Sequence, residues 1–131
     1  MSVRRSADAL ALYRQHYVDK DFERLDLFQR LAERYGIESA LYPGSFVHIT
    51  PSLVYPVTTY VETDARARAF FADPAVYTFI DRHKTYDREP HVTFHAADYR
   101  RDFAEPEKRY DLLISQYAGL VSRHCKRYLR I

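Results

Sequence analysis

The feature that most constrains this chain is an alternation. Short β-rich segments, several closed by a turn residue or an acid, take turns with segments of helical periodicity. The β-rich segments run from Ser39 to Tyr42, Thr58 to Thr63, His91 to Ala97 and Tyr110 to Ser115. A parallel pair of strands needs a crossover connection, and helices are the usual one, so this order implies a parallel sheet with crossover helices. The strand interiors lack strict polar alternation, as expected of a sheet covered on both faces.

The helical segments supply the cover. Ser6 or Asp8 can cap a helix through Ala9, Leu12, Tyr13 and Tyr17. Asp21 can start a second, in which Phe22, Leu25, Phe28, Leu31, Ala32 and Tyr35 share one face, with Gly36 placed for a left-handed C-terminus. Ala65 to Phe71 has helical texture, and Asp73-Pro74 ends it and opens another helix through Ala75, Tyr77, Phe79 and Ile80. Pro51 and Pro56 shorten or bend the first crossover. Ala118 to Arg130 forms a last helix, with Leu120, Val121, Cys125, Tyr128 and Leu129 available for its buried face. The expectation is one α/β domain with about four mostly parallel strands and crossover helices. Residues 1–36 form an N-terminal helical pair and residues 37–131 carry the sheet.

Bulk properties exclude several classes. At 131 residues, 47% apolar and 29% charged, the chain is the size and mixture of one globular domain. It has no long apolar run and no signal-peptide stretch after its N-terminal arginines. A single cysteine, Cys125, rules out an internal disulfide and fits the reducing cytoplasm. A net charge of +2 is too small to argue for nucleic acid or a membrane surface. The basic run Arg123, His124, Lys126, Arg127 and Arg130 reads first as cations favoured by a helix C-terminus. No histidine pair has metal-ligand spacing, and His91 and His95 lie some distance apart on one face of a strand. Twelve Tyr and eight Phe with no Trp read as core edges first and as pocket lining second.

In doubly wound sheets ligands bind beyond the carboxyl ends of the strands. After the first strand comes Gly44, where backbone can approach a ligand closely, followed by Ser45. Twenty residues on, Asp64 follows the second strand, and a carboxylate there can accept hydrogen bonds from ribose hydroxyls. It is equally an N-cap for the Ala65 helix. Asp98 and Tyr99 follow the third strand, an acceptor for an amino group beside an aromatic face. Ser115, Gln116 and Tyr117 follow the fourth. Asp111, at the opposite end of its strand, reads as structural, and Cys125 as core. Neither Ser45 nor Ser115 sits in a nucleophile-elbow sequence.

The stretches ALYPGSFVHITPSLVYP, TTYVETDARARAFF, VTFHAADYRRDF and YDLLISQYAGLVSRHCKRYL, in this order, resemble the class I S-adenosylmethionine-dependent methyltransferases, a Rossmann-like family. The resemblance covers Ser39 to Arg130. It implies that Gly44 and Ser45 form the loop cradling the methionine part of the cofactor and that Asp64 holds the ribose. It also implies that Asp98 and Tyr99 meet the adenine and that Tyr117 closes the pocket. It names no catalytic base and no methyl acceptor. The family normally continues into a fifth strand, so a fragment, or a homo-oligomer or partner chain covering the fourth-strand edge, is also expected. Phe46 and His48, bulky residues beside Gly44, favour an alternative: an inactive Rossmann-like interaction or structural module. A dehydrogenase-type NAD module is a third reading, and the missing GxGxxG spacing counts against it.

Overall fold

β1 (Ser39–Pro43) is buried along its whole length and takes a neighbour on each side. β2 (Val57–Val61) pairs with it on one edge and β4 (Leu112–Leu113) on the other, while β3 (His91–His95) pairs with β2. All three pairings are parallel, in the order β3-β2-β1-β4, so the chain has a Rossmann-like α/β fold. This computed structural model describes residues 9–21, 23–101, 103, 105–115 and 121–130.

Register sorts the strand residues between two cores. Ala40, Tyr42, Tyr60, Val92, Phe94 and Leu112 belong to the larger cluster, with the N-terminal helices and the connections on that side. Leu41, Val61 and Leu113 belong to a second cluster, with Phe103, Tyr110, Val121, Cys125 and Tyr128. Adjacent strand residues point to opposite faces, so both faces of the sheet are covered. The large residues of the core are unusually polar. Tyr13, Tyr42, Tyr55, Tyr60, Tyr110 and Tyr128 are all buried. Their hydroxyls are bonded, for example Tyr55 to the Phe28 carbonyl at 2.8 Å and Tyr60 with Ser52 Oγ at 2.6 Å. The tyrosine-rich composition is therefore a core property here, with each phenol partnered inside the fold.

The helices follow their caps. α3 (Ala65–Phe71) starts where the Asp64 carboxylate accepts the Arg66 amide, and α4 (Pro74–His83) where Asp73 accepts the Ala75 amide. Between β1 and β2 the prolines leave only a 3-10 turn, Thr50–Leu53. Residues 9–13 are α-helical (α1) and run on as a π-helical turn, Arg14–Val18.

Three elements differ from expectation: two helices, and β4, which keeps only Leu112 and Leu113 of the segment Tyr110 to Ser115. The second helix, α2, spans Leu25–Tyr35 and does not start at Asp21. Asp21 and Arg24 instead have positive φ, and Glu23 between them is held from outside: its carboxylate accepts Tyr13 Oη–H and its carbonyl accepts His48 Nε2–H. Gly36 ends α2 in the left-handed conformation at φ 64°, as expected, but Tyr35 is 63% exposed and not on the buried face. The last helix is a short α5 (Val121–Cys125) followed by a 3-10 turn, Lys126–Tyr128. Leu129 then leaves the helix to form a parallel bridge with Tyr110. Leu120 and Phe22 lie outside the described residues. No helix among the described residues is long and apolar enough to cross a membrane.

Candidate functional site

The carboxyl ends of β1, β2 and β3 converge on a pocket of about 240 Å³. Gly44 lines it from the end of β1, and Val61, Glu62 and Thr63 from the end of β2. Ala97, Asp98, Tyr99 and Arg100 line it from the turn after β3. Gly44 has φ 67° and donates its amide to the Val61 carbonyl at 2.7 Å, which pulls the two strand ends together. A side chain at that φ is disfavoured, so the conformation favours glycine.

Glu62 organises the β2 end. Its Oε1 accepts the Phe46 amide at 2.9 Å, and its Oε2 accepts the amides of Thr63 at 2.8 Å and Asp64 at 3.1 Å. Asp98 is tied to Arg100. Oδ1 accepts the Arg100 amide at 2.9 Å, and Oδ2 accepts a guanidinium N–H at 2.7 Å. Those bonds hold the Asp98 carboxyl down at about 2, so it is ionised at neutral pH. The pocket thus presents two carboxylates, one guanidinium and an aromatic residue around a glycine backbone.

Of the residues expected from the sequence, the fold gathers Gly44, Asp98 and Tyr99 into this pocket. Asp64 does not line it: its carboxylate caps α3 and meets the Arg66 guanidinium at 3.1 Å, which lowers its pKa. Ser45 is fully buried, its carbonyl accepting the Tyr17 hydroxyl at 3.4 Å. Tyr117 and Gln116 lie outside the described residues, and Ser115 is exposed. Glu62 and Arg100 are the additions. In sequence Glu62 falls inside the β-rich segment Thr58 to Thr63, and it becomes a strand-end residue only because β2 stops at Val61.

The chain after Gly44 turns into the core. Phe46 has φ 49°, an uncommon conformation for a bulky side chain. Its ring lies 5.2 Å from the His16 ring and 4.7 Å from the Arg66 guanidinium. His48 is fully buried and stacked on Tyr17 at 4.3 Å. Its Nε2 lies 2.8 Å from the Glu23 carbonyl and must be the donor there. The neutral ring therefore accepts at Nδ1 from the Tyr42 hydroxyl, 2.7 Å away. Burial pushes the imidazole down to about 4 and keeps it uncharged at neutral pH.

On the other face of the sheet, Tyr110 donates to Glu105 Oε1 at 2.6 Å and therefore accepts from Thr59 Oγ1 at 2.7 Å. The second Glu105 oxygen meets His95 Nε2 at 2.7 Å. The chain of bonds Thr59–Tyr110–Glu105–His95 ties β2, β3 and the segment before β4 together. Cys125 is buried, and burial pushes its thiol up to about 11, the opposite of what a nucleophilic thiolate needs. Among the described residues no group of three His, Cys, Asp or Glu side chains is placed to hold a metal ion. No family model, no curated protein and no solved structure matches the chain.

Proposed function

We propose that this chain is the cofactor-binding part of an S-adenosylmethionine-dependent methyltransferase-type domain, seating the adenosine end of the cofactor in the pocket beyond β1, β2 and β3. One observation carries the reading. Glu62 and Asp98–Tyr99 converge with the Gly44 backbone on one pocket, at the ends of adjacent parallel strands. Glu62, not Asp64, then takes the ribose hydroxyls. Asp98, ionised and acceptor-only, takes the exocyclic adenine amino group, and Tyr99 supplies an aromatic neighbour.

The pocket's size suits the nucleoside end of the cofactor. The 240 Å³ pocket falls below the range of about 300–1,000 Å³ usual for sites that enclose a whole drug-sized ligand. On the methionine side the fit is poor, because Ser45 and His48 are fully buried. The amides of Gly44 and Phe46 are also bonded to Val61 and Glu62. S-adenosylmethionine, when bound, supplies a methyl group activated by a sulfonium. The residues here hold and orient its nucleoside, and none stands as a general base.

The buried loop favours a second reading, a Rossmann-like interaction or structural module that binds no cofactor. Melting curves separate the two. Adenosine and S-adenosylhomocysteine should each raise the melting temperature, with a ligand at a hundred times its Kd adding about 2.7 kcal/mol. Asp98→Ala, at a surface ion pair, should stay folded and lose the shift. If millimolar adenosine, S-adenosylmethionine and S-adenosylhomocysteine all leave the melting temperature unchanged, the cofactor reading fails and the second stands.

A further inference from the structure

Charge is spread unevenly along this chain. Cations outnumber acids after residue 97 and acids outnumber cations before it, so the net charge of +2 conceals a basic C-terminal part. The fold brings three segments of that part together. The amides of Lys108 and Arg109 donate to the carbonyls of Arg127 and Tyr128 at 2.9 and 3.0 Å. The Cys125 thiol donates to the Tyr99 carbonyl at 3.6 Å, and the rings of Tyr99 and His124 lie 6.3 Å apart. Residues 99–101, 108–109 and 123–127 are therefore neighbours, outside the smaller core cluster to which Tyr99, Cys125 and Tyr128 belong.

Packing turns the cations outward. Val121, Cys125 and Tyr128 bury one side of α5 and its 3-10 turn, which leaves Arg123, Lys126 and Arg127 exposed. Arg101, Lys108 and Arg109 are exposed beside them. Among the described residues Arg101, Lys108, Arg123 and Lys126 form no ion pair. Three described acids stand against them: Asp98, held by Arg100, Glu105, held by His95 and Arg109, and the exposed Glu107. A helix dipole does not account for the run. α5 has only five residues, and Lys126 and Arg127 lie beyond it.

We propose that this face binds single-stranded nucleic acid, with Arg101, Lys108, Arg123 and Lys126 as its phosphate contacts. Cations drawn from three segments suit a repeated charge better than a single anion. Two features favour an unpaired strand over a duplex. α5 is a short helix, not one that can lie along a major groove. The half-buried rings of Tyr99 and His124, set among the cations, offer stacking faces to unpaired bases. Tyr99 and Arg100 also line the pocket beyond β1, β2 and β3, so a bound strand passes its mouth. Phosphate contacts need no cofactor, so binding here stands apart from the reading of that pocket.

The test is fluorescence anisotropy of the full chain with a labelled twelve-nucleotide RNA of mixed sequence, the DNA strand of the same sequence, and that DNA as a duplex. Both single strands should bind saturably and alike, because phosphates and base faces are common to them, and the duplex should bind at least about tenfold more weakly. Four phosphate contacts give a slope of log K against log salt of about −3, or roughly a fiftyfold loss from about 50 to about 200 mM salt. Arg123→Gln with Lys126→Gln should weaken binding by roughly tenfold and flatten the slope by about 1.4. The control pair Arg30→Gln with Arg34→Gln removes the same charge from exposed positions on α2, which packs on the other core cluster, and should leave binding unchanged. No saturable binding at about 50 mM salt, an affinity indifferent to salt, a duplex bound as tightly, or binding of one sugar type alone overturns the proposal. So does equal weakening by the two variant pairs, which would leave net charge and no site. A poly-glutamate peptide bound as tightly as the RNA would assign the face to an acidic protein instead. The salt series and the competing ligands decide the matter on the unaltered chain even if a variant fails to fold.

Discussion

His48 shows how much of this fold rests on single buried polar groups. Its ring is hydrogen-bonded at both nitrogens and stacked on Tyr17, all away from solvent. Folding therefore requires the neutral form, and the pKa falls from 6.5 to about 4. The folded state binds this proton less readily than the unfolded chain. The stabilisation is complete above pH 6.5 and is lost as pH falls from there towards 4, at about 1.4 kcal/mol per pH unit. Urea unfolding at pH 7 and pH 4.5 should show the drop in the native chain. His48→Gln keeps a donor and an acceptor and should be flatter by that amount; equal pH dependence in both would refute the assignment. Tyr110 makes a second case. Tyr110→Phe deletes the hydroxyl shared by Thr59 and Glu105 and leaves a nearly buried carboxylate short of a partner. We expect a loss of about 1–3 kcal/mol, against less than about 0.5 kcal/mol for Tyr35→Phe at an exposed site. A similar cost at both positions would mean that the Glu105 network contributes little.

At the scale of elements, those with self-contained signals formed where local chemistry placed them. Asp64 and Asp73 cap α3 and α4, and Pro74 occupies the first turn of α4, so both helices fall close to their expected bounds. Asp64→Ala should cost about 1 kcal/mol through the lost cap. It should leave any adenosine-induced shift in melting temperature intact, because Asp64 is outside the pocket; loss of the shift would return it to the ligand site. Elements that depend on distant partners were less legible. α2 starts late because Tyr13 and His48 hold Glu23. β4 keeps only two residues, and Leu129 leaves its helix to pair with Tyr110, neither of which a local pattern reveals. In the site, Gly44, Asp98 and Tyr99 were readable as strand-end residues. Glu62 was not singled out, because the acid two residues later also fits a strand end and a ribose role. The side on which a strand-end carboxylate finds its amide partners decides between them, and that is a property of the folded turn.

At the scale of the whole molecule, β1 is the shared wall of both cores. Ala40 and Tyr42 belong to the larger cluster and Leu41 to the smaller one, so neither core can loosen without disturbing the same strand. Parallel pairing to β2 on one side and β4 on the other adds to the coupling. The two clusters should therefore unfold together, with far-UV and near-UV circular dichroism giving one midpoint in urea. Leu41→Ala tests the coupling from the smaller side. Leu41 is 0% exposed, and its truncation should cost about 2–5 kcal/mol and move both signals by the same amount. Ile80→Val, in the larger cluster, should cost about 0.5–1.5 kcal/mol and add to the first within roughly 0.5 kcal/mol, since the two side chains belong to different clusters. If Leu41→Ala instead splits unfolding into two steps, with the larger cluster melting at its original midpoint, the cores are separable. The sheet would then be a surface on which two units pack and not the element that joins them.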